Sequence, residues 1–256
     1  MRVMKFGGAS VASTQSFARI ADLILSGQGE QTIVVVSAMG NTTDQLLKLA
    51  REVHPHPPRR ELDMLISTGE RISVALLAMA LALKGKEAIS FTGSQSGIIT
   101  CSNHTDAKIV DVKPHRLRAA LQRGQVAIVA GFQGVSVDGE ITTLGRGGSD
   151  TTAVALAAAL GAGEVEFYKD VLGIFTADPK KDPKALLQEE LTHREALELA
   201  HGGAKVLHAR SIELAEKNGI RLRVLPFQPS IPGALGGTLV GKGAVRSEKI
   251  IYERGV

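Results

Sequence analysis

The chain has 256 residues, enough for one large α/β domain or two small ones with a sizeable core. Hydrophobic residues make up 44% and charged residues 22%, which excludes a disordered chain, and 28 glycines indicate many tight turns or close backbone approaches. The formal charge of +4 is too small and too scattered for a nucleic-acid-binding surface, and it fits a small anionic ligand better.

Short apolar runs alternate with longer segments of helical periodicity, and this alternation predicts parallel strands joined by helical crossovers. The predicted strands are Val3–Phe6, Thr32–Ser37, Glu87–Phe91, Val126–Ala130, Glu164–Tyr168 and Leu222–Leu225. The predicted helices are Thr14–Ser26, Thr43–Val53, Arg60–Lys84, Pro114–Gln122, Asp150–Leu160, Arg194–His201 and Ala209–Lys217. The run Ile33–Val36 is β-branched throughout, as expected for a strand buried on both faces.

Three further segments complete the predicted topology. Val135–Thr143 is predicted to form an antiparallel hairpin, because Asp138-Gly139 at its centre accepts the positive φ values of a tight turn. Pro226–Gly237 is expected to be irregular, and Glu248–Tyr252 to form a short strand. One compact domain is the simplest interpretation.

The sequence also predicts the cellular location of the chain. Cys101 is the only cysteine, which excludes an internal disulfide and suits a reducing cytoplasm. The first ten residues lack the apolar core of a signal peptide, which spans roughly 7–15 residues. No window approaches the roughly 18 uninterrupted apolar residues of a membrane span, so no membrane association is expected.

The segment Lys5–Ser10 lies where the first strand ends, which is where ligands bind in an open parallel sheet. Gly7 and Gly8 would let backbone N–H groups approach an anion, and Lys5 would add a positive charge. A glycine turn with a surface lysine explains this hexapeptide equally well.

A second glycine-rich segment, Gly145–Thr152, opens the Ala-rich helix after the hairpin. Arg146 would project beside the amides of a helix N-terminus, an arrangement that suits a carboxylate or phosphate. Ser149 and Asp150 also fit as ordinary N-capping residues. Tyr168–Pro179 carries polar groups able to hold the base and ribose of a nucleotide, or forms a long loop.

Three other features carry no predicted chemistry. Gly236–Lys242 has the spacing of a P-loop, but Gly243 replaces the Ser or Thr that would bind Mg²⁺ and no long helix follows. His54-Pro55-His56 lacks a third metal ligand. Cys101 has no evident catalytic partners.

Six ordered blocks resemble the aspartokinases of the amino acid kinase family, and the resemblance runs over almost the whole chain. The blocks are Lys5–Val11, Val35–Asp44, Gly69–Ser73, Phe91–Gln95, Gly145–Ala153 and Gly203–His208. The resemblance implies an α/β fold, a three-layer αβα sandwich with a mainly parallel central sheet. It also implies a single catalytic domain over residues 1–256.

The activity implied by the resemblance is transfer of the γ-phosphoryl group of MgATP to the β-carboxylate of L-aspartate, giving 4-phospho-L-aspartate. In the family this step leads to lysine, threonine and methionine synthesis. A carboxylate nucleophile is already ionised near neutral pH, so cations and amides should dominate the site and no general base is needed. No metal ligand is expected from the protein, because Mg²⁺ would be held mainly by ATP.

The resemblance also assigns roles to residues. Lys5 and Asp150 would be catalytic, Lys5 binding the ATP phosphates and Asp150 orienting it. Residues implied to bind the amino acid are Thr43, Glu70, Arg146, Gly147, Gly148 and Ser149. Residues implied to bind the nucleotide are Lys5, Gly7, Gly8, Lys169, Asp170, Phe175, Lys180, Lys205 and Val206. Without the resemblance, Glu70 would be interpreted as an exposed residue of the long helix.

The sequence departs from the family pattern mainly on the nucleotide side. The unusual residues are Ala9, Lys169, Leu172, Phe175 and Lys180. Lys169 is the most unusual, since it adds a charge where the family has a neutral hydroxyl. These departures bear on nucleotide affinity or choice more than on the class of acceptor.

Members of the family commonly continue into regulatory ACT domains, and residues 237–256 leave no room for one. We therefore expect an enzyme without feedback inhibition in cis. Because catalytic domains of the family also pair through their own helices, we expect a homodimer formed through the catalytic domain. Two alternatives stay open. One is a kinase of the same fold acting on another amino acid or a carrier-bound carboxylic acid. The other is a non-catalytic binding subunit, which predicts loss of Lys5, Arg146 or Asp150, whereas all three are present.

Overall fold

The computed structural model describes residues 1–27, 29–228, 237–245, 247 and 249–253. Its helices are α1 (Thr14–Leu25), α2 (Thr42–Val53), α3 (Arg59–Ile66), α4 (Thr68–Leu83), α5 (His115–Gln122), α6 (Gly148–Leu160), α7 (His193–His201) and α8 (Ala209–Asn218). Its strands are β1 (Arg2–Phe6), β2 (Thr32–Val36), β3 (Ala88–Phe91), β4 (Ile98–Thr100), β5 (Ile109–Val112), β6 (Val126–Ala130), β7 (Gln133–Ser136), β8 (Ile141–Thr143), β9 (Glu164–Lys169), β10 (Ile174–Phe175), β11 (Leu187–Gln188), β12 (Glu190–Leu191), β13 (Arg221–Pro226) and β14 (Thr238–Val240).

The central sheet is mainly parallel. Within the described residues its strand order is β12-β14-β13-β9-β1-β2-β6-β3, and only the β13–β14 pair is antiparallel. All six strands predicted from apolar runs belong to this sheet. The short strands β12 and β14 extend it at one edge and were not predicted.

Two apolar layers cover the sheet and confirm the three-layer αβα fold. Val3, Ile33 and Val35 face one layer, which contains residues of α5, α6, α7 and α8. Met4 and Val34 face the other, which contains residues of α1 and α4. Because alternate side chains of a strand point to opposite faces, a buried central strand supplies both layers. Each fully buried aliphatic side chain contributes about 1.5–3 kcal/mol.

The helix α6 is the innermost helix, and every one of its residues is buried. Its alanines allow close packing against the sheet. Gly147 and Gly161 flank it in the left-handed conformation, with φ of 72° and 84°. Glycine adopts this conformation at little cost, so the helix can begin and end sharply. The N-terminus of α6 is thereby fixed near the carboxyl edge of the sheet.

The prediction of one helix over Arg60–Lys84 was wrong, because the segment forms two helices separated at Ser67. The hydroxyl of Ser67 donates to the Met64 carbonyl, and that of Thr68 donates to the Leu65 carbonyl. Such local hydrogen bonds to the backbone compete with continuous helix formation.

A smaller sheet with the order β5-β4-β7-β8 lies beside the central one. Its β7–β8 pair is antiparallel, which confirms the predicted hairpin. The strands β4 and β5 were not predicted. Residues 249–252 are not a strand, contrary to the prediction for Glu248–Tyr252, and residue 248 lies outside the described residues. Residues 229–236 also lie outside the described residues. They include most of the predicted irregular segment Pro226–Gly237 and the first residue of the P-loop-like segment Gly236–Lys242.

One helical stretch, Arg59–Leu83, is long and apolar enough to cross a membrane by length and composition alone, since an 18-residue window within it has a mean hydropathy of 1.5. Core helices pass the same test. In this fold Val74, Leu77 and Leu81 of the stretch are buried in the layer shared with α1.

Candidate active site

The carboxyl ends of β1, β2, β6 and β9 lie side by side, so the turns that follow them are brought together. Gly8 begins a short 3₁₀ turn after β1 and packs against the turn after β2. A Cβ atom at Gly8 would lie 3.2 Å from the carbonyl oxygens of both Ala38 and Gly40. The predicted glycine turn is therefore present, and its backbone approaches the neighbouring turn closely.

Two lysines share the carboxylate of Asp150. Lys5 Nζ lies 2.6 Å from Asp150 Oδ1, and Lys169 Nζ lies 3.1 Å from Asp150 Oδ2. Lys5 and Asp150 are only 4% and 5% exposed. Lys5 pairs with Phe167 across the β1–β9 register, so Lys169 lies two positions further along the same face of the sheet. The first turn of α6 supplies Asp150 to this face.

The electrostatics of the three groups are coupled. Burial and the charge of Lys169 together lower the pKa of Lys5 to about 8, against the opposing effect of Asp150. Burial alone would raise the pKa of Asp150, but the positive charges of Lys169 and Lys5 outweigh this and hold it well below its usual range. One carboxylate thus faces two ammonium groups, which leaves the cluster with an excess positive charge suited to an anion.

Glu70 lies beside this cluster in the first turn of α4, and it is 2% exposed. Its Oε1 accepts a hydrogen bond from the Ala38 backbone N–H at 3.1 Å, whereas Oε2 has no partner among the described residues. Burial raises the pKa of Glu70 to about 7, against the opposing effects of the Ala38 N–H and the charge of Lys5. The interpretation of Glu70 as an exposed helix residue was wrong. Its free oxygen is available to a cationic ligand.

The Gly145–Ser149 segment wraps the N-terminus of α6. Gly147 lies against the ring of His208, where a Cβ atom would come within 2.1 Å of the ring. Ser149 also packs tightly on Gly131, just after β6, since a Cβ there would lie 2.7 Å from Ser149 Oγ. Arg146 is exposed and forms no ion pair within the part of the chain described. The segment therefore presents a free guanidinium next to helix amides.

The structure brings the other predicted residues together less tightly. Thr43 is partly buried near the start of α2, and Phe175 is partly buried in the β10–β11 ribbon. Val206 packs against the layer containing α6. Asp170, Lys180 and Lys205 are exposed, and no hydrogen bond or ion pair among the described residues joins them to Lys5 or Asp150.

A cavity of about 250 Å³ at the opposite end of α6, lined in part by Arg118 and Gly161, is remote from Asp150.

Sequence reasoning missed two groups near the site. Asp63 of α3 is fully buried and accepts hydrogen bonds from the Thr143 hydroxyl at 2.5 Å and the Thr105 N–H at 3.1 Å. The His104 ring also contacts it at 2.8 Å. His208 belongs to a block that the resemblance singled out, but its contact with Gly147 depends on the fold. Within the described ranges, no three His, Cys, Asp or Glu side chains cluster as a metal site would require.

An excess of buried positive charge at the carboxyl edge of a parallel sheet, next to a glycine turn and a helix N-terminus, defines an α/β protein built to hold a small anionic ligand. The sequence model for the amino acid kinase family matches residues 1–226, and the chain belongs to this family.

Two curated relatives are aspartokinases. That of Mycolicibacterium smegmatis is 53% identical over 236 residues, covering 91% of this chain and 56% of the relative. That of Geobacillus stearothermophilus is 51% identical over 256 residues, covering 99% of this chain and 62% of the relative. The chain thus spans little more than half the length of the curated relatives it matches.

Solved structures of aspartate kinases share the fold. The enzyme from Synechocystis has a TM-score of 0.83 and 47% identity, covering 96% of this chain and 41% of that one. The E. coli aspartokinase III complex with aspartate and ADP has a TM-score of 0.84 and 29% identity, covering 94% of this chain and 64% of that one.

Proposed function

We propose that the chain phosphorylates the β-carboxylate of L-aspartate with MgATP, giving 4-phospho-L-aspartate and ADP. The observation that carries this proposal is the buried cluster of Lys5, Asp150 and Lys169, with Glu70 beside it. Two ammonium groups suit an anionic phosphoryl group, and one buried carboxylate suits the ammonium group of an amino acid. The names of the relatives support aspartate as that amino acid.

The transfer needs no proton. A β-carboxylate oxygen of aspartate forms a bond to the γ-phosphorus, and the bond from that phosphorus to the β–γ bridging oxygen breaks. The bridging oxygen leaves with the electron pair as part of ADP. The protein must bring two anions together and stabilise charge on the transferring group, and the positively charged cluster is suited to this.

The remaining roles follow from charge and position. Arg146 would clamp the α-carboxylate, Glu70 the ammonium group, and Thr43 and Ser149 the other polar atoms of aspartate. Lys5, Gly7 and Gly8 would hold the phosphates of ATP. The other residues that would surround the nucleotide are Lys169, Asp170, Phe175, Lys180, Lys205 and Val206. Mg²⁺ would be bound mainly by ATP.

A hydroxamate-trapping assay of the acyl phosphate tests this function. The chain is incubated with MgATP and a panel of amino acids, dicarboxylic acids and carrier-bound acids, and a coloured hydroxamate is expected with aspartate. Product with another acid and none with aspartate identifies a different acceptor. No product with any acid identifies a non-catalytic binding protein.

The variant Lys5→Ala tests the role of Lys5 in the same assay, with Lys217→Ala as its matched control. It removes a positioned cation, so kcat should fall by at least about 10²-fold. Near-normal turnover of the variant would contradict the role assigned to Lys5. Lys217→Ala, which removes an exposed lysine near the end of α8, should leave turnover unchanged.

A further inference from the structure

Lys169 reaches the cluster from the last position of β9. Its side chain points to the same face as Phe167, and Nζ lies 5.8 Å from the centre of that ring. The side chain is 15% exposed, compared with 5% for Lys5. Lys169 Nζ is therefore at the boundary between the buried Lys5–Asp150 pair and the open edge of the sheet, where the glycine turns lie.

Neutralising Asp150 does not require this second lysine. Lys5 already pairs with Asp150 at 2.6 Å, and the other nearby carboxyl group, Glu70, has a raised pKa. An ammonium group has three donors, and among the described residues Asp150 is the only hydrogen-bond acceptor that Lys169 Nζ reaches. The remaining donors are free to bind an anion at the open edge.

We propose that Lys169 is a second ammonium group for the γ-phosphoryl of the bound nucleotide, and that Asp150 orients it together with Lys5. This inference rests on the function proposed above and makes it more specific. Lys169 would act at the transferring group and not at the base or ribose. The two lysines would stabilise the phosphoryl oxygens from adjacent strands.

Calorimetric titration with two nucleotides tests the position of Lys169 without any acceptor. In Lys169→Met the dissociation constant for MgAMP-PNP should rise by about 10-fold or more, the loss of one hydrogen bond to a charged group. The dissociation constant for MgADP, which lacks the γ-phosphoryl group, should change by less than about twofold in the same variant. Equal weakening of both nucleotides, or of neither, would overturn the inference.

Three further variants complete the test. Lys169→Gln keeps a hydrogen bond to Asp150 without the charge, so it should show the same selective loss even where the Met variant does not fold. Lys169→Arg keeps the charge and should restore most of the MgAMP-PNP affinity. Lys217→Met removes an exposed lysine and should leave both affinities unchanged.

Turnover separates this inference from the function on which it rests. Lys169→Met should lower kcat with little change in the KM for aspartate. If the wild-type chain makes no aspartyl hydroxamate while Lys169→Met still binds MgAMP-PNP selectively worse, the proposed acceptor is wrong and the role of Lys169 stands. If aspartate is phosphorylated but the two nucleotides are affected equally, only the role of Lys169 is overturned.

Discussion

Glu70 is buried, yet its carboxylate must be ionised for the proposed binding of an ammonium group. The cost of burying its carboxylate raises the pKa to about 7, and its Oε2 has no partner in the described part of the chain. A carboxylate that binds an ammonium group must be ionised, and the ligand's positive charge would favour ionisation. The protein therefore holds Glu70 in an unfavourable state that a cationic ligand relieves.

This arrangement predicts a stability that depends on pH. The pKa of Glu70 is about 7 in the folded protein and near 4.5 in the unfolded chain, so the folded state binds the proton more tightly. Stability contributed by the protonated group is present below pH 4.5 and is lost as pH rises to 7. Relative to Glu70→Gln, the wild-type free energy of unfolding should fall by about 3 kcal/mol over this range.

Urea unfolding of the two proteins between pH 4.5 and 7.5 measures the difference. Glu216→Gln, on the exposed side of α8, serves as the control and should follow the wild type within about 0.5 kcal/mol. A constant difference between wild type and Glu70→Gln would mean that the folded protein does not raise the pKa of Glu70. The same Glu70→Gln change should raise the KM for aspartate.

At the scale of elements, Asp63 connects α3 to the loop around Thr105, which packs against the Gly145–Ser149 segment. Its carboxylate binds the Thr143 hydroxyl of β8 and the Thr105 N–H. The Thr105 carbonyl in turn lies 3.2 Å from where a Cβ of Gly145 would be. This chain of contacts fixes the backbone immediately before Arg146.

Replacing Asp63 by Asn should therefore destabilise the protein and loosen this loop. The amide offers one acceptor oxygen in place of two, so a buried donor is left unpaired at a cost of about 1–3 kcal/mol. We expect a lower urea midpoint, faster hydrogen exchange at the Thr105 amide and a raised KM for aspartate. Asp138→Asn, in the exposed hairpin turn, is the matched control. An unchanged exchange rate at Thr105 would show that other contacts hold the loop.

The predictable elements are those whose local pattern decides their structure. The run Ile33–Val36 is apolar and β-branched, and it forms a fully buried strand as predicted. Strands β12 and β14 have two and three residues, and they exist because long-range pairing aligns them. The break at Ser67 depends on hydroxyl hydrogen bonds that residue propensities do not reveal.

In the candidate site, too, the residues marked by local patterns were predictable, and the contacts set by the fold were not. The glycine segments and the start of α6 pointed to Lys5 and Asp150, but their contact joins residues 145 positions apart and depends on the packing of α6. Lys169 lies one residue beyond the predicted end of its strand, so the predicted strand does not place it on the same face as Phe167. Asp63 resembles an exposed helix residue until the fold supplies Thr105 and Thr143.

At the scale of the whole molecule, the two sheets share one apolar core. Ile98 of β4 and Ile109 of β5 belong to the same buried cluster as Ile33 and Leu222 of the central sheet. Hydrogen bonds also join the parts, since the Gln133 amide donates to the Ser67 carbonyl at 2.8 Å. We infer that the described residues form a single domain that unfolds as one unit.

Calorimetry of Ile98→Ala tests this inference. Ile98 is fully buried, so its truncation should cost about 2–5 kcal/mol by lost burial and cavity formation. If the sheets are one unit, the single transition should move to lower temperature with the van't Hoff and calorimetric enthalpies still equal. Val137→Ala, in the exposed hairpin turn of the same small sheet, should change stability by less than about 0.5 kcal/mol. A separate early transition in Ile98→Ala would instead mean that the small sheet unfolds independently, because only its own enthalpy would then be lost at the lower temperature.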